Sequence, residues 1–392
     1  MLPTRNPRLP LKALQTSEPP MSAVKTAALP EPFALWRGGS LPGGVIAYES
    51  WGTLNADASN AILLFTGLSP TAHAASSPGN RDEGWWERMI GPGRAIDTDQ
   101  YFILCINSLG SCFGSTGPAS PNPATGKPWR LGFPEITVED IARAGYEAAR
   151  SLGIRQLSAV IGPSLGGMVV LAFAACLPGA ARRLICISGT GAASPFAVAL
   201  RAVQREAVMS DPAWKDGDYG SDAGPAAGMR IARKLGTITY RSAGEWLGRF
   251  ARAPLSPQGQ RAAMLASARF PSGFGPRFAV EGYLEAQAER FVRIFDPNCY
   301  LYLSRAMDCF DLAAHGDPVD VLARSGVASA LVIGVESDML FAIEEQAAVA
   351  DSFIKAGVAT RFLRLPSIEG HDAFLVDLPR FDAAVRGFLT TT

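Results

Sequence analysis

A short apolar run, Leu157–Ile161, breaks at Gly162-Pro163-Ser164-Leu165-Gly166-Gly167, and an apolar helical stretch follows to Cys176. No other feature constrains the chain as tightly as this strand–turn–helix junction. A turn that sharp needs glycine on both sides of Ser164, because the neighbouring backbones must approach without Cβ atoms. It also sets a hydroxyl in front of a helix N-terminus, whose free N–H groups favour a developing negative charge. The plainer reading is a small-residue junction with no chemistry, and only the position of partner residues separates the two.

Further apolar runs flank the junction: Ala61–Phe65, Tyr101–Ile106, Leu184–Ile187, Ala330–Ile333 and Thr360–Leu365, with a helical pattern over Val138–Leu152 that stops at Gly153. Near-continuous apolar strands alternating with helices predict a mostly parallel sheet covered by helices on both faces, an α/β class. Together with the turn at Ser164 the pattern is that of an α/β-hydrolase fold. The stretch from Ser188 to Pro318 breaks the alternation. It holds helix-like segments such as Phe196–Met209 and Val280–Phe295 but no strand series, which predicts a helical lid over 188–318 inserted into a core formed by 34–187 and 319–392. The polar, proline-broken 1–33 reads as a loosely ordered N-terminal arm without the apolar core of a signal peptide.

Lys+Arg and Asp+Glu balance at 36 each, which argues against a nucleic-acid or anionic-membrane surface as the main partner. No apolar run is long enough to predict a transmembrane helix. The six cysteines form no C-x-x-C pair and several sit in apolar runs, so buried free thiols and a cytoplasmic location are expected. No metal site is expected.

A nucleophile on such a turn is followed in chain order by an acid and then a histidine. Of the three histidines, His73 precedes Ser164 and His315 ends the lid-like region with no strand before it. His371 follows the apolar Phe362–Leu365 run and is the candidate base. Leu331-Val-Ile-Gly334-Val-Glu336-Ser-Asp338 offers two acids; Asp338 is preferred because it lies beyond the strand end and precedes the apolar helix entry Met339-Leu340-Phe341-Ala342, a helix that it could also cap. Two N–H groups are needed for an oxyanion, and those of Leu165 and Leu68 are the candidates.

The chain resembles the homoserine O-acyltransferases of the α/β-hydrolase superfamily. The likeness rests on Gly67-Leu-Ser-Pro-Thr-Ala-His73, Gly84-Trp-Trp86, Asn107-Ser-Leu-Gly-Ser-Cys112, Ala232-Arg-Lys-Leu-Gly236, Thr239-Tyr-Arg-Ser242, Phe295-Asp-Pro-Asn298, Tyr300-Leu-Tyr-Leu303 and Gly370-His-Asp-Ala-Phe374. Gly67-Leu68-Ser69-Pro70 and Gly110-Ser111-Cys112 differ from the usual homoserine enzymes and resemble the serine O-succinyltransferase branch. The resemblance implies ping-pong transfer of succinyl from succinyl-CoA to L-serine in cysteine biosynthesis, with acyl-CoA as co-substrate and no bound cofactor. It also implies Arg233 and Asp372 as acceptor-binding residues, Gly67, Leu68, Ser69 and Pro70 as acceptor-selecting, Arg305 as donor-selecting, and a homodimer working on small molecules. A homoserine or acetyl-transferring enzyme, an esterase or thioesterase, and a non-catalytic fold relative are the alternatives.

Overall fold

A computed structural model describes residues 23–220, 224–257, 259 and 274–391. Eight strands build the central sheet: β1 Lys25–Ala28, β2 Val45–Trp51, β3 Ala61–Phe65, β4 Phe102–Ile106, β5 Ala159–Pro163, β6 Arg183–Ile187, β7 Ser329–Val335 and β8 Ala359–Leu365. They lie in the order β1-β2-β4-β3-β5-β6-β7-β8. From β4 to β8 every pairing is parallel; β2 runs antiparallel to β4, and β1 to β2.

β3 shows why the sheet is covered on both sides. All five of its residues are buried. Leu63 and Phe65 join the apolar cluster that contains Val169 and Phe173, whereas Ile62 and Leu64 face the opposite cluster with Phe381 and Val385. The period of two therefore feeds two cores, and an alternating polar face never appears. Helices α1 Val138–Ser151, α2 Leu165–Cys176 and α9 Ile343–Lys355 supply the first core and α10 Leu378–Leu389 the second. α1 begins with a capping box in which the Thr137 side chain accepts from Asp140 N–H.

Between β6 and β7 the described residues hold α3 Pro195–Met209, α4 Ala226–Thr239, α5 Ala243–Phe250, α6 Ala279–Ile294, α7 Pro297–Cys309 and the short α8 Pro318–Arg324. Among the described residues no helix is long and apolar enough to cross a membrane.

One boundary differs from expectation. Residues 1–22 of the expected arm lie outside the described residues, but Lys25–Ala28 is an edge strand rather than a loose arm. Only Ala27 of its four residues is buried, so a hydrophobic pattern had nothing to register. The six cysteines are free.

The two histidines set aside by their positions are tied up elsewhere. His315 Nε2 meets Glu139 Oε1 at 3.1 Å. His73 Nδ1 lies 2.9 Å from Glu49 Oε2, and its Nε2 lies 2.9 Å from the Asp82 carbonyl. Burial pushes the His73 imidazole down, but the hydrogen bonds to Glu49 and the Asp82 carbonyl outweigh it and leave the group above its ordinary value. A raised folded-state value stabilises the fold fully below the ordinary value near 6.5, and this contribution is lost as pH rises through the folded value. Tm should therefore fall over the window just above pH ~6.5, and His73→Gln should flatten part of that slope in a thermal-melt series. An unchanged slope in the variant would show that the pair contributes nothing to folding.

Candidate active site

Ser164 stands between β5 and α2 with φ 59° and ψ −120°, a strained backbone for a residue with a side chain. The flanking glycines permit it. A Cβ on Gly162 would lie 2.1 Å from the Gly166 carbonyl oxygen, and one on Gly166 would lie 2.6 Å from the Phe65 carbonyl oxygen. Pro163 also fits: Ser164 N–H donates to Ile187 O on β6 at 2.9 Å, so the missing N–H of Pro163 faces β3, whose register ends at the Leu64–Ile161 pair.

The ends of β5, β7 and β8 bring three residues together. His371 Nε2 lies 2.7 Å from Ser164 Oγ, and His371 Nδ1 lies 2.7 Å from Asp338 Oδ2. A carboxylate only accepts, so Nδ1–H donates to Asp338 and Nε2 is left to accept the Ser164 proton. The other Asp338 oxygen accepts from Leu340 N–H and Phe341 N–H, both at 2.9 Å, so this acid caps its turn and orients the imidazole at once. Glu336, the other acid considered, is exposed.

Burial alone would lower the His371 imidazole. The Asp338 charge and hydrogen bond outweigh it, Asp372 adds to them and Arg201 opposes, and the group stands above its ordinary value. A base must be neutral to take a proton, so the acidic limb of kcat/KM should lie above pH ~6.5. A pH–rate profile with its limb below that value would contradict the arrangement.

Leu68 and Ser164 line the same pocket. A Cβ on Gly67 would sit 3.8 Å from Ser164 Cβ, which sets the Gly67-Leu68-Ser69-Pro70 loop against Ser164. Neither Leu68 N–H nor Leu165 N–H donates to a protein acceptor among the described residues.

The remaining wall comes from the helices between β6 and β7: Arg201 and Gln204 of α3, Tyr240 after α4, and Tyr300, Ser304 and Met307 of α7. Arg233 packs its guanidinium over the rings of Phe291 and Tyr240, 4.6 and 5.8 Å from their centroids, with a buried Nε that has no partner among the described residues. Asp372 N–H donates to Tyr240 O at 3.0 Å, and its Oδ2 pairs with Arg241 Nε at 3.2 Å. Burial raises the Tyr240 phenol, Arg233 and Arg201 lower it and Asp372 raises it, so two cations and an anion converge on this ring.

Arg305 requires correction: it is exposed, and the pocket does not include it. Tyr300, Ser304 and Met307 follow a 4-then-3 spacing and share the pocket face of α7, and Arg305 lies about 100° round the helix from Ser304. The cation that does face the pocket is Arg201, which is only 5% exposed. Its Nε donates to Asp308 Oδ1 at 2.5 Å, while Nη1 and Nη2 are buried without a partner among the described residues. Only the folded helix shows this: in α3, Ala197, Arg201, Gln204 and Val208 form one buried helical stripe with a charge inside it.

The α/β-hydrolase fold family matches residues 60–377. A serine O-succinyltransferase of Stenotrophomonas maltophilia (strain K279a) is 57% identical over 364 residues, covering 92% of this chain and 96% of that protein. The chain belongs to the homoserine O-acyltransferase family of α/β-hydrolase-fold proteins, in its serine O-succinyltransferase branch. It is an acyltransferase by that membership. A serine O-succinyltransferase of Xanthomonas campestris pv. campestris (strain B100) is 52% identical, with the same coverage. Among solved structures, the homoserine O-acetyltransferase of Bacillus anthracis superposes with a TM-score of 0.83 at 28% identity, covering 94% of this chain and 98% of that one. Esterase E22 superposes with a TM-score of 0.82 at 26% identity, covering 93% and 99%.

Proposed function

We propose that this acyltransferase moves a succinyl group from succinyl-CoA to the hydroxyl of L-serine by a ping-pong route. Ser164 Oγ attacks the thioester while His371 takes its proton; the N–H groups of Leu68 and Leu165 hold the oxyanion, and CoA leaves as the thiol. His371 then deprotonates the acceptor hydroxyl, which takes the acyl group from Ser164. Asp338 keeps the imidazole in the tautomer both steps need. The route uses no metal and no cofactor beyond the acyl-CoA substrate.

The observation that carries the reading is the unpaired Nη1/Nη2 edge of Arg201 in the pocket of the nucleophile. A buried guanidinium with free donors is costly unless a ligand anion completes it, and its fork fits a carboxylate. Charge count agrees. A succinyl donor and a zwitterionic acceptor bring two carboxylates and one ammonium; Arg201, Arg233 and Asp372 match them in sign, with Arg201 also held by Asp308 and Asp372 by Arg241. Arg201 suits the donor's terminal carboxylate, Arg233 the acceptor's α-carboxylate and Asp372 its ammonium. An acetyl donor would leave Arg201 unmatched. Serine as acceptor is supported by the relatives' names and by Gly67-Leu68-Ser69-Pro70 beside Ser164. The free thiols fit a cytoplasmic enzyme, and a homodimer is proposed on the family resemblance alone.

The test is a matrix of succinyl-CoA and acetyl-CoA against serine and homoserine. Succinyl-CoA with serine should give the highest kcat/KM, with serine ahead of homoserine by roughly tenfold to a few hundredfold, the worth of one methylene. Arg201→Leu should cost succinyl-CoA roughly 2–5 kcal/mol relative to acetyl-CoA. A wild-type preference for acetyl-CoA, or for homoserine, would overturn the corresponding half. The esterase likeness makes hydrolysis the competing outcome, and release of free succinate unaffected by serine would favour it.

A further inference from the structure

Arg201 does not stand alone. Asp308, on the same face of α7 as Ser304, receives two guanidinium groups from α3: Arg201 Nε at 2.5 Å and Arg205 Nη1 at 2.6 Å. The side chains of Arg201, Arg205 and Asp308 are 6%, 11% and 4% exposed, so this three-charge cluster is buried. The Arg205 contact with Asp308 is an ion pair without hydrogen-bond alignment; Arg205 Nη1 donates instead to Ser304 Oγ at 2.9 Å, and Ser304 lines the pocket. No step of the reaction uses Asp308 or Arg205.

We propose that Asp308 is a positioning residue for the donor's terminal carboxylate, acting through Arg201, and that Arg205 keeps the cluster one charge positive. The inference rests on the donor reading above. A guanidinium presents two forked edges. By holding Nε, Asp308 occupies one edge and leaves the Nη1/Nη2 edge free, the edge that is buried and unpartnered. A long side chain fixed in this way meets its ligand in the bonding geometry, with less ordering left to do. Charge balance needs Arg205. With Arg201 alone, Asp308 would neutralise the cation and compete with the incoming carboxylate. With two cations around one anion, a single carboxylate brings the buried cluster to neutrality. An acetyl donor gains nothing from either feature.

The experiment measures the ratio of kcat/KM for succinyl-CoA to that for acetyl-CoA in the wild type, Arg201→Leu, Asp308→Asn and Arg205→Gln. Labelling of Ser164 by a fluorophosphonate reports whether each variant keeps its site. The ratio should fall at least tenfold in Asp308→Asn and in Arg205→Gln, with most of the loss in KM for succinyl-CoA and with labelling retained. Both donors falling together with labelling would make Asp308 a structural ion-pair member and overturn the inference. So would a wild-type ratio in the two variants alongside a lowered one in Arg201→Leu, which leaves the donor reading standing. A wild type with no preference for succinyl-CoA removes the donor reading itself and this inference with it. Should Asp308→Asn fail to fold, Arg205→Gln decides, because an ion pair needed only for stability would lower Tm without moving the ratio.

Discussion

Ser164→Ala is expected to lower kcat by roughly 10⁴–10⁶-fold while leaving the fold and Tm close to wild type. The reason is local. The side chain is one hydroxyl on an already strained backbone; the turn is permitted by the bare Gly162 and Gly166 and tied to β6 by the Ser164 N–H bond to Ile187 O, none of which involves Oγ. Ala removes the atom that forms the covalent bond and leaves the N–H groups of Leu68 and Leu165 in place. Some binding and oxyanion stabilisation therefore survive, and the residual rate should exceed that in water. Steady-state CoA release and intact mass check both halves. An acyl adduct on the Ala variant would contradict the assignment.

Asp338→Asn carries the second large effect, a loss of about 10⁴-fold in kcat. Asp338 Oδ1 accepts from Leu340 and Phe341 N–H, and an amide oxygen can keep both bonds. The amide NH₂ must then point at His371 Nδ1, where Oδ2 now lies 2.7 Å away. A donor there forces Nδ1 to accept, moves the ring proton to Nε2 and turns it against the Ser164 hydroxyl. The variant should melt near the wild-type temperature yet barely turn over. With the raising charge of Asp338 gone, any remaining pH profile should have its acidic limb moved to lower pH. Near-normal activity in Asp338→Asn, with loss in Glu336→Gln, would show that the wrong acid had been chosen.

The meeting of Ser164, His371 and Asp338 was legible because its signals are local and ordered. Gly162 to Gly166 state a turn that few other residues permit, and with Ser164 fixed, chain order removed His73 and the lack of a preceding strand removed His315. The structure gives those two other partners, Glu49 and Glu139. The choice between Glu336 and Asp338 turned on where a strand ends, and β7 stops at Val335. What sequence could not carry was helical phase in an amphipathic segment of mixed composition. Arg305 looked anomalous in the apolar-looking Tyr300–Met307 run, but α7 turns it outward. Arg201 looked ordinary among the charges of α3, but it falls on the buried stripe. Asp308 was unreadable for a further reason: its partners, Arg201 and Arg205, are about a hundred residues away in the chain. Edge strand β1 was missed because half of what defines it is the neighbouring strand.

The most direct test mixes the wild-type enzyme with succinyl-CoA in the absence of acceptor and follows intact mass with peptide mapping. The account predicts a succinyl adduct on Ser164, one CoA released for each adduct formed, and rapid discharge when L-serine is added, with O-succinylserine as product. Discharge by water at the same rate with and without serine, or transfer to serine under conditions where no enzyme adduct can form, would contradict it.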